Sequence, residues 1–254
     1  MTVLHRLCLV AVLVFLAGFA QIPGELAMVP RAQDATATIL ARIYKEYLAL
    51  RTAPTVAGLV RLDRQLRDLM PGYRWGSRRL VSAAYLDPRY ADLGVARLMF
   101  DGDNLGYSGK LLAEAHSLNP QSPLRSHTMF SAIFSPGGES SNTVPSRDRA
   151  AEYVREFPAG PFIVEALAIL AHFYDDLFKV IRLEETGSRV GYKYDCFAPH
   201  LTSQPLPDQR RAAQEAGVRA YERLIVLHPE ISAIKDELSA LRNGTTRAWH
   251  FCAD

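Results

Sequence analysis

Cysteine, lysine and net charge are all in short supply here. The 254 residues contain three cysteines, too few for a disulfide-dense miniprotein. Basic and acidic residues number 29 and 27, so the net charge is only +2 and makes no case for a nucleic-acid partner. Only five of the basic residues are lysines. Strand signals are nearly missing, since no hairpin dipeptide sits between alternating apolar residues. Beyond residue 20 no apolar run approaches the roughly eighteen residues of a membrane helix. The remaining composition, 48% hydrophobic and 22% charged, is that of a globular chain.

The first twenty residues depart from that pattern. One charge, Arg6, precedes the unbroken apolar stretch Leu7 to Ala20, and Gly18-Phe19-Ala20 supplies a small-x-small exit before Gln21 and Pro23. This order reads as a secretory signal cut after Ala20. In helix the apolar stretch would span roughly 21 Å, short of a hydrocarbon core of about 30 Å. An uncleaved anchor that tethers the chain to a membrane is the alternative. Removing 20 of 254 residues leaves 234, with no integral membrane segment and 28 basic against 27 acidic residues. Cys196 and Cys252 then remain as an even pair in an oxidising compartment, where a disulfide is the default. Closing so long a loop is worth roughly 3–4 kcal/mol in the chain-entropy description.

Helical spacing recurs along the rest. Residues 35–51 align Ile39, Leu40, Ile43, Tyr44, Tyr47 and Leu48, and residues 56–70 align Leu59, Leu62, Leu66 and Leu69. Further helices are expected at 77–86, 89–100, 108–118, 122–134, 146–156, 161–182, 208–227 and 230–242. The fold class expected is all-α, with about ten helices in antiparallel pairs. Residues 1–20 form the signal, 21–34 a disordered or extended N-terminus, and 35–254 one helical domain. An irregular insertion is expected at 187–207.

The helix ends repeat. Asp87-Pro88, Asn119-Pro120, Phe157-Pro158 and His228-Pro229 close four helices, with prolines 32, 38 and 71 residues apart. Proline past a helix end stops it and suits the first turn of the next. A period near 34 with two helices per unit suits a tetratricopeptide-type solenoid. The fullest unit runs from Ala216-Gly217 through Ala220-Tyr221 and Leu224 to Leu227-His228-Pro229. Ala151-Glu152-Tyr153, Ala166-Leu167 and Leu170-Ala171 repeat its character. Over residues 75–242 the chain resembles exported bacterial proteins built of degenerate tetratricopeptide-like repeats, although the family's Trp and Leu-Gly positions are unmatched. The resemblance implies a stacked α-solenoid that acts as a protein- or peptide-binding scaffold or adaptor in the cell envelope. An exported all-α hydrolase acting on an envelope polymer is the alternative, so catalysis stays open while binding is favoured.

No complete catalytic constellation is present, and neither a cofactor nor a metal is expected. Asp101, Asp103 and Gly106 match the start of a calcium loop, but Leu105 and Leu112 stand where two ligands should be. His172, Asp175 and Asp176 share a helix face at i, i+3 and i+4, and a zinc site there needs a third ligand that His116, His127, His200, His228 or His250 could supply only through tertiary geometry. Ser108 reads as a helix cap, and Asn243-Gly244 as a helix stop. Arg61, Arg64 and Arg67, interleaved with Asp63 and Asp68, read as a solvated face. The binding element expected is the aromatic insertion, through Tyr192, Tyr194, Phe197 and His200.

Overall fold

Helix α6, Ile163–Glu185, is apolar almost all round, and most of it is buried. A helix of that kind must be covered by others. α5, Arg147–Glu156, lies along it on one side, and α8, Leu206–Leu227, makes its most extensive contact. α9, Ser232–Arg242, packs in turn on α8. The short α7, Tyr192–Phe197, touches α6. Upstream, α1 spans Val29–Arg51 and α2 spans Val56–Leu69, and α2 packs on α3, Lys110–Leu118. The structure is a computed structural model that describes residues 29–70, 81–97, 103–134, 144–188, 191–246 and 249–252. Residues from Leu40 onward belong to one compact unit. Helices dominate the described residues, so the chain is all-α, and none of these helices is long and apolar enough to cross a membrane.

Local chemistry sets the helix ends. Thr55, in extended conformation, caps α2 by accepting from the Gly58 N–H at 3.1 Å. Ser146 caps α5 in the same way through Arg149. The closing prolines sit where they were expected after α3, α5 and α8. Gly244, at φ +67, follows Asn243 past the end of α9, as the Asn-Gly pair implies.

Several expectations need correction. α1 begins at Val29, so the last part of the stretch read as extended is helical. The helix expected at 89–100 is a 3-10 helix, Pro88–Leu93, followed by strand β1, Val95–Arg97. β1 pairs antiparallel with β2, Leu105–Tyr107, with Val95 opposite Tyr107. Of residues 77–86 only the end is described, and Ala83–Tyr85 there is a 3-10 turn. The helix expected at 122–134 is a four-residue α4, Arg125–Thr128, running into 3-10 residues Met129–Ile133. Ser108 does not cap α3; Gly109, at φ +73, holds that position. Part of the 187–207 insertion is ordered as α7 and a 3-10 turn, Ala198–His200. The signal segment and most of the loop 135–145 lie outside the described residues.

Arg67 overturns the solvated-face reading of α2. Arg61 is exposed and pairs with Glu46 at 2.6 Å, but Arg67 and Asp63 are both buried, joined Nε to Oδ2 at 2.9 Å. The Tyr107 hydroxyl donates to Asp63 Oδ1 at 2.8 Å. The guanidinium lies 5.5, 5.7 and 5.0 Å from the ring centres of Tyr107, Phe130 and Phe162. One buried cation therefore ties together α2, β2, the 3-10 segment after α4 and the start of α6.

Gly217 lets three helices approach closely. A Cβ there would stand 2.7 Å from Leu241 Cδ2 on α9 and 3.3 Å from Tyr174 Cβ on α6. Gly217→Val is expected to cost about 1–3 kcal/mol by overpacking, measured by thermal melting. An unchanged melting temperature would show that the helices can move apart without loss.

Candidate functional site

Four polar residues of α6 stand at helical spacing, and all of them are buried: His172, Asp175, Asp176 and Lys179. Polar groups at that depth need partners, and the C-terminal segment brings many of them. Asp176 accepts the backbone N–H of His250 at 3.0 Å and that of Phe251 at 2.8 Å. Lys179 Nζ reaches Asp176 Oδ1 at 3.0 Å and stands 3.6 Å from Asp175 Oδ2. The same ammonium lies 5.2 Å from the Trp249 ring centre.

His250 then comes to lie on His172. The imidazoles stack at 3.8 Å between centres with 5° between planes. His250 Nε2 donates to Asp175 Oδ2 at 2.9 Å. From α9, Glu237 points into the same place, with its Oε2 3.9 Å from His172 Nε2. Tyr221 of α8 closes another side, edge-on to His172. A ligand atom from each of His172, Glu237 and His250 lies within 4.8 Å of the other two.

Burial dominates the electrostatics. It holds the His172 imidazole well below its usual protonation range, and His250 and Lys179 beside it add to that shift. Burial pushes the Asp176 carboxyl up, against the pull of Lys179 and His250. It also pushes Glu237 up, with Asp175 adding repulsion and Tyr221 favouring the charged form.

A disulfide between Cys196 at the end of α7 and Cys252 holds the tail in place, with the two Cα atoms 6.4 Å apart. Cys252 has φ +52, the left-handed region, which is uncommon for a residue other than glycine. Phe251 lies over Phe197 at 6.4 Å between centres, so the insertion and the tail share one apolar contact.

The sequence-derived candidates fare unevenly. Phe197 is fully buried against Phe173, His200 and Phe251, and Tyr194 is buried with its hydroxyl bonded to Glu184. These two rings build the core under the insertion and leave little surface for a ligand. His200 is half-buried on Phe173, and the Tyr192 side chain lies outside the described residues. Asp101 is outside them as well. Asp103 is exposed, its carbonyl accepts the Ala83 N–H at 2.7 Å, and Leu105 starts a strand, so the calcium-like stretch serves strand pairing. Asp176 is engaged by the tail and Lys179. His172 gains Glu237 and His250 as neighbours, a grouping no local spacing announces. The one prior signal was the His172, Asp175, Asp176 face together with the pairing of Cys252, which places its neighbour His250 near α6.

Three other histidines, His116, His127 and His200, are half-buried, and burial lowers the protonation range of each. The unfolded chain takes up protons near pH 6.5 while these folded imidazoles stay neutral, so they remove stability as pH falls below that value. Proton NMR is expected to place their midpoints below 6.5. A midpoint above 6.5 would mean that a carboxylate, and not burial, sets the environment.

Compared with protein-family models, with curated proteins and with solved structures, the chain finds no match.

Proposed function

We propose that this chain is an exported helical binding protein, a scaffold or adaptor that holds a protein or peptide in the cell envelope. The observation that carries the reading is a cleft of about 370 Å³ lined by Ile225 of α8 and by Lys235, Leu238, Ser239, Arg242 and Asn243 at α9. Val226, 81% exposed, and Leu227 stand on the same turn of α8 as Ile225. Ile225 and Leu238 make its floor apolar and Lys235 makes one edge basic, Arg242 being paired with Glu222, and this suits a segment that presents apolar side chains beside a carboxylate. The Cys196–Cys252 bridge supports an oxidising compartment, secreted or periplasmic, in line with the leader-like first twenty residues. Resemblance to tetratricopeptide-like repeats points the same way, because paired helices bind through grooves without catalytic residues.

Site-directed crosslinking tests this. A photo-crosslinker at Ser239→Cys, in envelope extract, should capture a discrete partner, and Val226→Asp should abolish the capture. Equal capture from a probe at exposed Arg97 would overturn the reading.

The gathering of His172, Asp175, Glu237 and His250 favours a second reading, an exported hydrolase of an envelope polymer. Had His172, Asp175 and Asp176 faced solvent alone, that reading would have lost its residues; instead they meet ionisable partners. It requires turnover of a cell-wall substrate that Asp175→Asn abolishes while binding at the α9 cleft persists.

A further inference from the structure

We infer that the Cys196–Cys252 bridge is a redox latch: reduction by a dithiol frees the C-terminal residues and uncovers the buried polar face of α6, and reoxidation closes it again. The inference stands independently of both functional readings. α9 holds the chain as far as Thr245, whose N–H and hydroxyl both donate to the Ala240 carbonyl at 2.9 Å. Arg182 Nη1 of α6 donates to the Gly244 carbonyl at 2.8 Å. Trp249 to Cys252 form a separate strap, held by Asp176, by the stack of His250 on His172 and by the bridge. The two anchors are distinct, so loss of the second leaves the first in place.

What the strap covers is a face that tolerates water. Beneath it α6 presents His172, Asp175, Asp176 and Lys179 in place of an apolar stripe. Lys179 pairs with Asp176 at 3.0 Å and lies 3.6 Å from Asp175, and both pairs sit within one helix, so they survive departure of the strap. Water then replaces the two tail amides on Asp176. Phe251 is the apolar contact given up. α8 stays on α6 through its own extensive contact, with Gly217 at the closest approach. Cys252 favours release as well: its φ of +52 is tolerated while the bridge fixes it and relaxes once the residue is free. Access is from one side. Cys196 is half-buried and Cys252 buried, so an incoming thiolate meets the Cys196 sulfur. Its attack forms a mixed disulfide at Cys196 and breaks the bond to Cys252, which leaves as a thiolate and takes up a proton. The reductant's second thiolate then attacks the reductant sulfur of that mixed disulfide. This closes the reductant's own disulfide and frees the Cys196 thiolate, which is protonated in turn. Two electrons and two protons have passed from the dithiol to the bridge.

Pulsed lysine acylation of the full-length, oxidised chain tests the latch. Dithiothreitol in native buffer, without denaturant, should reduce the bridge completely, as read by intact mass. An acylating pulse should then modify Lys179 about tenfold or more faster than in the oxidised chain. Exposed Lys235 should react equally in both. Helical circular dichroism should stay unchanged, and reoxidation before the pulse should restore the protection of Lys179. The double variant Cys196→Ser with Cys252→Ser should react as the reduced chain does, with no reductant present. Complete reduction with Lys179 still protected would overturn the inference, because the strap then stays down without its bridge. So would resistance of the bridge to native reduction. Loss of the helical signal on reduction would overturn it too, by making the bridge a support of the whole fold.

Discussion

Arg67→Ala is expected to lower the stability of the fold by about 3–5 kcal/mol, the usual cost of breaking a buried ion pair by removing one partner. For a chain of this size the melting temperature should drop by on the order of 10 °C. The cause is what the substitution leaves behind. Asp63 would stay buried with the Tyr107 hydroxyl still donating to it, but without the guanidinium that lies against it in the native fold. Three aromatic faces would also lose the guanidinium that lies among them. Replacing both partners, Arg67→Met with Asp63→Leu, should recover most of the loss, because the buried carboxylate is removed together with the guanidinium. Thermal melting of the single and double variants checks this. A double variant as unstable as Arg67→Ala would mean that shape, and not charge, is what the pair supplies.

Cys252→Ser should act at the other end of the molecule and more locally. Loss of the bridge across 56 residues removes roughly 3–4 kcal/mol in the chain-entropy description. The melting temperature should fall. The Phe251 and His250 amides, protected by Asp176 in the native state, should exchange with solvent faster. Amides in the middle of α6 should be affected much less. Intact mass before and after reduction verifies the bridge in the parent chain, which should gain two hydrogens. If Cys252→Ser leaves tail exchange untouched, the hydrogen bonds to Asp176 suffice to hold the tail, and the bridge is secondary.

Much of the helical order was legible, for a physical reason. α2 and α8 carry apolar residues at spacings that only a helix places on one side, and proline marks where α3, α5 and α8 stop. The segments that misled are those without a period to read. A three-residue strand such as Val95–Arg97 and a 3-10 turn such as Ala83–Tyr85 are too short to repeat anything. Arg67 misled differently. An Asp and an Arg four residues apart look the same in sequence whether they face water or neutralise each other in a core. The candidate site was half legible. His172, Asp175 and Asp176 sit at helical spacing on one element, and the pairing of Cys196 with Cys252 followed from number and compartment. Glu237 and His250 come from two further segments: α9, packed on α8, carries Glu237 in, and the tail held by Cys196 and Asp176 carries His250. The rings of Tyr194 and Phe197 suggested a binding surface, but large apolar rings beside a disulfide are as well used in holding two segments together.

The bridge at Cys252 also sets how far the site can open. Trp249, His250 and Phe251 are followed directly by a residue tied to Cys196, so separating them from α6 is a tethered excursion and not a departure. Return is then a unimolecular event, with an effective concentration on the order of millimolar or higher. His172, buried beneath His250, can thus be uncovered briefly and covered again while α6, α8 and α9 stay packed.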